Sequence, residues 1–146
     1  MKHAYGVGIV LLLALGCMSK PVAAQSGQTD GRPRIQLGKN YPNPFNPETR
    51  IPFTLGDGLF QGGKSVVVTI RIYNQLHQLV AIPQALNHPS GNGARLNRLE
   101  YAAPGDYVAY WDGYDALGKK VASGLYFARL EVNGERSQPI KLIVDN

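Results

Sequence analysis

Between Ile51 and Val144 the apolar residues of this chain recur at every second position rather than every third or fourth. Ser65 to Tyr73 shows it most clearly, with Val66, Val68, Ile70 and Ile72 on one side and Val67, Thr69, Arg71 and Tyr73 on the other. That is the alternation of a half-buried strand. The same period groups Tyr107, Ala109 and Trp111, then Tyr126, Ala128, Leu130 and Val132, then Ile140, Leu142 and Val144. Shorter runs lie at Ile51 to Leu55 and Leu79 to Ile82, and an edge strand is expected within Leu96 to Tyr101. Gly56-Asp57-Gly58, Asn87 to Gly93, Asp112-Gly113 and Asn133-Gly134 separate them with turn chemistry, the last suited to a two-residue hairpin with positive φ. No stretch combines a helical period with caps. About seven short strands punctuated by turns predict an all-β, immunoglobulin-like β-sandwich of antiparallel strands.

Upstream of this pattern the character changes. Met1-Lys2-His3 is a short basic start, and Val7 to Leu15 is an apolar run too short to span a bilayer, so residues 1–24 read as a signal peptide. Two processing readings stand side by side. Val22-Ala23-Ala24 offers small residues for cleavage after Ala24, the preferred reading, while Ala14-Leu15-Gly16-Cys17 resembles a lipoprotein box that would make Cys17 an acylated membrane anchor. Residues 25–34 hold Gln, Ser, Gly, Thr, Asp and Pro with almost nothing apolar and read as a flexible leader. The domain is expected over 35–146, and the product is expected outside the cytoplasm: secreted, at the cell surface, or held on a membrane through the lipid.

Composition narrows the function classes. With 44% hydrophobic and 17% charged residues in 146, the chain has the makeup of one globular domain rather than a disordered tail. The formal charge of +5 falls to +3 once Lys2 and Lys20 leave with the signal. Lys64, Arg71, Arg95, Arg98, Lys119 and Lys120 are scattered among turns and acidic residues, which is no footprint for nucleic acid. The single cysteine lies in the export segment, so the domain must hold itself together by packing rather than by disulfides.

Motifs for chemistry are few. Gly58 to Ser65 fits the phosphate-loop string G-x-x-x-x-G-K-S, and Leu142-Ile143-Val144-Asp145 mimics its distal aspartate strand. A phosphate loop, however, aims the N-terminus of a following helix at its ligand, whereas Ser65 opens the most β-branched run in the chain. His77 and His88 sit alone in turn-like sequence, and no H-E-x-x-H or G-x-S-x-G occurs. Asp106, Asp112 and Asp115, with Glu100, contain oxygen ligands suited to calcium but lack an ion-binding loop's spacing, so capping of turns by Asp112 and Asp115 is the preferred reading. No catalytic set, cofactor or metal is expected.

The least ordinary stretch is Asn40-Tyr41-Pro42-Asn43-Pro44-Phe45-Asn46-Pro47. Three prolines at fixed φ and three asparagines dictate a rigid irregular turn, with Tyr41 and Phe45 expected to plug one end of the sandwich. Trp111 is expected inside with a partner for its indole N–H, Asp112-Gly113 should end its strand, and Gly118 and Gly124 should allow tight backbone paths. Taken together, that block, Thr49, Ile51, Phe53, Ile72-Tyr73-Asn74, Trp111-Asp112-Gly113, Gly118 and Ser123-Gly124-Leu125-Tyr126-Phe127 resemble the type A C-terminal sorting domain of the type IX secretion system. The half from Trp111 to Tyr126 is shared with the immunoglobulin-like domain of flagellar hook-capping proteins.

The resemblance covers about residues 35–144 and implies a seven-stranded sandwich carried by exported cargo. It implies recognition by outer-membrane secretion components or other envelope proteins; an enzyme is not expected, because no acid-base or nucleophile set can be assembled from the residues present. By matching position, Lys141, Leu142, Ile143 and Val144 form the terminal recognition strand, expected to offer unpaired backbone groups to a partner sheet. Only the signal peptide and leader lie upstream here, so the expectation is a sorting module without cargo. The competing expectation is a structural or adhesive envelope module that binds a protein or glycan, for which Tyr101, Tyr110 and Tyr114 would be contact residues if exposed, although tyrosines at strand ends more often complete packing.

Overall fold

The β-branched run that dominates the sequence becomes the strand around which the rest is arranged. In this computed structural model, which describes residues 34–146, Val66, Val68, Ile70 and Ile72 are fully shielded from solvent. Their alternation leaves one face for the core, each side chain contributing about 1.5–3 kcal/mol of burial. The strands in chain order are β1 (Ile35–Leu37), β2 (Thr49–Leu55), β3 (Val66–Tyr73), β4 (Leu79–Ala81), β5 (Gln84–Ala85), β6 (Leu99–Tyr101), β7 (Gly105–Trp111), β8 (Gly124–Val132), β9 (Glu135–Arg136) and β10 (Ile140–Val144).

They form two antiparallel sheets, β1-β2-β7-β5 and β10-β8-β3-β4, with β6 also on β3 and β9 on β8. The predicted sandwich is therefore present, and all seven expected runs are strands. β1, β5 and β9 are additions of two or three residues, too short for a period of two to declare itself.

Register follows the apolar pattern. Val68, Ile70 and Ile72 face Val132, Leu130 and Ala128 of β8, while Thr49, Ile51 and Phe53 of β2 face Trp111, Ala109 and Tyr107 of β7. A slip of one residue would expose both sets. Thr69 breaks the alternation by being buried on the outer side. Residues 96–98 run beside it there: Leu96 O accepts the Ile70 amide at 2.9 Å, and Thr69 Oγ1 accepts the Arg98 amide at 2.9 Å. The Asn133-Gly134 turn between β8 and β9 has φ of 48° and 86°, the doubly left-handed geometry that a two-residue hairpin requires.

At both sides of the sandwich the chain crosses from one sheet to the other. Ile82-Pro83 leads from β4 to β5. On the opposite side the proline-rich block pairs first with β2, through Tyr41 and Arg50, and then with β10, through Phe45 and Val144. Two aromatic groups fill the opposite ends of β7. Trp111 meets Phe45 at 5.4 Å and Tyr126 at 5.7 Å, and Tyr107 meets Tyr101 at 4.5 Å and Phe53 at 5.7 Å. Among the described residues no helix is long and apolar enough to cross a membrane. The signal peptide and Cys17 lie outside the described residues.

Candidate functional site

The proline-rich block and the Trp111-Asp112-Gly113 turn, far apart in sequence, build one junction beside the terminal strand. Its inner part is a polar knot. Buried Asn40 donates from Nδ2 to Thr49 Oγ1 at 2.9 Å and to Pro42 O at 3.1 Å, and Thr49 Oγ1 donates to Pro42 O at 3.0 Å. These bonds shape the turn, because a buried polar group left without partners costs about 1–3 kcal/mol. The peptide bonds preceding Pro42, Pro44 and Pro47 are cis.

From this knot the chain reaches β10. Asn43 Nδ2 donates to Lys141 O at 3.3 Å, and Asn43 Oδ1 accepts the Ile143 amide at 3.0 Å. Two residues on, the Phe45 amide donates to Ile143 O and Phe45 O accepts the Asp145 amide, both at 3.0 Å. On its other side β10 is paired with β8 along its whole length. The expected open edge is thus a strand laddered on both sides, and the expectation that its backbone stands unpaired is corrected. Within the strand Leu142 and Val144 are core residues, while Lys141 and Ile143 face outward. Asn146 ties the end down, its amide donating to Ser123 Oγ at 3.0 Å.

Phe45 is buried against Trp111, as expected, but Tyr41 is 49% exposed and does not plug the sandwich. The reason is register. Tyr41 pairs with Arg50, which points outward between buried Thr49 and Ile51, and cross-strand partners share a face. Pro42 and Pro44 are exposed spacers.

The second motif half is structural in the same sense. Trp111 Nε1 donates to Tyr114 O at 2.9 Å, and Asp112 Oδ1 accepts the Tyr114 amide at 3.0 Å. Gly113 has φ of 79°, and a Cβ there would lie 2.3 Å from Pro47 O, so a glycine is what lets the two halves touch. Asp115 Oδ1 accepts the amides of Leu117 and Lys119, each at 2.9 Å, closing the turn that contains Gly118. Gly124 opens β8 opposite Val144. Tyr126 lies opposite Leu142, with its hydroxyl donating to Ala122 O at 2.9 Å. Both aspartates cap turns, as read from the sequence.

Other candidate groups are likewise engaged in structure. Asp106 Oδ1 accepts the Thr54 hydroxyl at 2.7 Å, Glu100 accepts that of Ser65, and no group of three or more metal-ligating side chains occurs among the described residues. The glycine-rich string ending at Ser65 folds as two 3₁₀ turns, Asp57–Leu59 and Gln61–Gly63, and runs into β3. It has no following helix to point at a phosphate.

His88 is more than a lone surface histidine. Its ring stands edge-on to Tyr101 at 4.7 Å, Nε2 donates to Glu100 O at 2.7 Å, and Nδ1 accepts the Ser90 amide at 3.1 Å. Of the three tyrosines expected at a contact surface, Tyr101 is in the core, where burial raises its phenol's pKa. Tyr110 donates to Glu48, a bond that, with some desolvation, pushes its pKa up to about 12. Tyr114 alone is exposed.

No family model and no curated protein matches the chain. Among solved structures, the crystal structure of dimeric latent PorU from Porphyromonas gingivalis is similar, with a TM-score of 0.52 and 21% sequence identity. The match covers 79% of this chain and only 10% of that one. The likeness is one of fold: a sandwich of this kind is also built into a far longer chain.

Proposed function

We propose that the chain is an exported, non-enzymatic sorting-type β-sandwich, handled by a secretion system of the type IX kind or displayed at the cell surface. Outer-membrane secretion components or other envelope proteins are its partners. One observation carries this reading: the two halves of the motif that resembles a sorting domain converge on the terminal strand. Phe45 packs on Trp111, Pro47 lies against Gly113, and Asn43 and Phe45 hold β10 from Lys141 to Asp145. The motif residues thus form one physical unit around the segment that such a system would read. The likeness to a stretch of the PorU chain supports the fold half of the reading.

Because the β10 backbone is paired on both sides, a partner meeting the folded domain there reads the outward side chains of Lys141 and Ile143 rather than adding a strand. Fusing residues 35–146 behind a signal peptide and reporter, in a bacterium that has this secretion system, tests the proposal. Appearance of the reporter at the surface or in the medium is the expected result. Retention in the periplasm, with the fused domain folded, would overturn it.

A further inference from the structure

Four of the six exposed large apolar side chains among the described residues lie on or next to two turns, 74–78 and 112–118, and two of them, Leu79 and Leu117, line one cleft. Leu117 is 93% exposed, Leu76 78% and Leu79 52%, and exposed Tyr114 lies on the same turn as Leu117. Single exposed apolar residues are ordinary, but a cluster marks a contact surface. A cleft of ≈ 470 Å³ runs between the turns that carry them, with Leu79, Val80, Leu117, Ala122 and Tyr126 in its wall and Lys119 and Lys120 among its lining residues.

Both turns are fixed from below. Asn74 Oδ1 accepts the amides of Leu76 and Gln78, each at 3.0 Å, and Asp115 does the same for Leu117 and Lys119. The leucines are thus presented on preformed supports, which lowers the ordering cost of binding. The backbone edge is not available: Val80 O, on the outer side of β4, already accepts the Ala116 amide at 3.0 Å. Recognition here is through side chains.

We infer that this cleft is a docking surface for a protein segment that carries large apolar side chains flanked by carboxylates. The charge of the cleft selects that chemistry. Neither Lys119 nor Lys120 belongs to an ion pair among the described residues, and against these two cations the cleft is lined by a single carboxylate, Asp115, whose Oδ1 is turned to two backbone amides, so the lining stays net positive. The lysines are left to steer and orient an acidic partner. A second copy of the chain fits less well, because a self-paired patch would set lysines against lysines. A lipid surface fits less well too, because it cannot fill a cleft between two ridges.

The test is selection of a random-peptide phage library on the full chain, with a Leu79→Ser/Leu117→Ser variant as counter-selection. Its near-ultraviolet circular dichroism serves as the check that it is folded. The expected outcome is an enriched consensus of large apolar residues beside Asp or Glu. Its best peptide should bind at least about tenfold more weakly to a Lys119→Glu/Lys120→Glu variant, as for loss of a central contact. An enriched consensus without acidic residues, or no enrichment over the folded counter-selection variant, would overturn the inference. So would binding of phosphatidylglycerol vesicles, or self-association, in each case abolished by Leu117→Ser while no peptide is selected.

Discussion

Asn43 lies 100 residues before Ile143 in sequence, and its side-chain oxygen accepts the Ile143 amide at 3.0 Å. The same carboxamide donates to Lys141 O at 3.3 Å. One side chain therefore does what a peptide group of a neighbouring strand would do, satisfying a donor and an acceptor two residues apart on the β10 edge. Unpaired strand edges invite pairing with other chains, so Asn43 guards the segment that Phe45 does not reach. Asn43→Ala is expected to cost about 1–2 kcal/mol, the usual loss for one or two hydrogen bonds. It should also speed amide exchange at Ile143 more than within β3, and produce concentration-dependent association. Hydrogen exchange and sedimentation check both, and a variant that stays monomeric with Ile143 as protected as before would show that the carboxamide guards nothing.

Gly113 and Gly118 share a φ of 79° and differ in what surrounds them. A Cβ at Gly118 would meet nothing within 4 Å, whereas at Gly113 it would lie 2.3 Å from Pro47 O. Gly118→Ala should therefore cost only the left-handed penalty, about 1–2 kcal/mol. Gly113→Ala must add the displacement of the proline-rich block, reaching about 3 kcal/mol or more. Urea unfolding of the two variants side by side decides it, and equal losses would mean that contact between the motif halves contributes little.

Phe45 and Tyr41 make a second contrasting pair. Phe45→Ala removes a buried ring packed on Trp111 and should destabilise by about 3–5 kcal/mol. Tyr41→Ala removes a half-exposed ring while leaving its backbone pairing with Arg50 intact, and should stay within about 0.5–1 kcal/mol. Thermal or urea unfolding measures both; a Tyr41→Ala loss as large as that of Phe45→Ala would return Tyr41 to the core.

That contrast shows where the sequence was legible. Val66 to Ile72, Tyr107 to Trp111 and Ala128 to Val132 declare strand and inward face through their own alternation, and they are buried as read. The indole's need for a partner and the capping by Asp112 and Asp115 were also readable, because each is satisfied within a few residues. Tyr41 was misread because its face is set by Arg50 across a bridge, not by its neighbours in sequence. The edge of β10 was misread for the same reason: what covers it comes from the other end of the domain, through a side chain imitating a strand. Tyr101, a contact candidate only under the adhesive reading, completes packing instead, as tyrosines at strand ends more often do, through β6 pairing with β3.

Four phenols lose solvent or gain a hydrogen bond on folding, and all four shift the same way. Burial raises the pKa of Tyr101, Tyr107 and Tyr126. The hydrogen bond to Glu48 comes first among the causes that carry Tyr110 from 10.0 up to about 12. A phenol whose folded pKa exceeds its unfolded value keeps its proton in the native state while the unfolded chain has released it. The stability it supplies is therefore complete below the unfolded value and is lost as pH rises through the folded one. For Tyr110, that window runs from 10.0 to about 12, with its share reduced by solvent screening at a partly exposed site. Urea unfolding should give a flat stability up to about pH 10, the ordinary tyrosine range, and a steady fall above it. Tyrosinate absorbance should lag behind that of the unfolded chain. Tyr101, the most buried of the four, should be the last to ionise, and Tyr101→Phe should flatten the fall more than Tyr110→Phe does. A stability that stays level across this window would mean that the phenols ionise in the native sandwich as readily as in the unfolded chain.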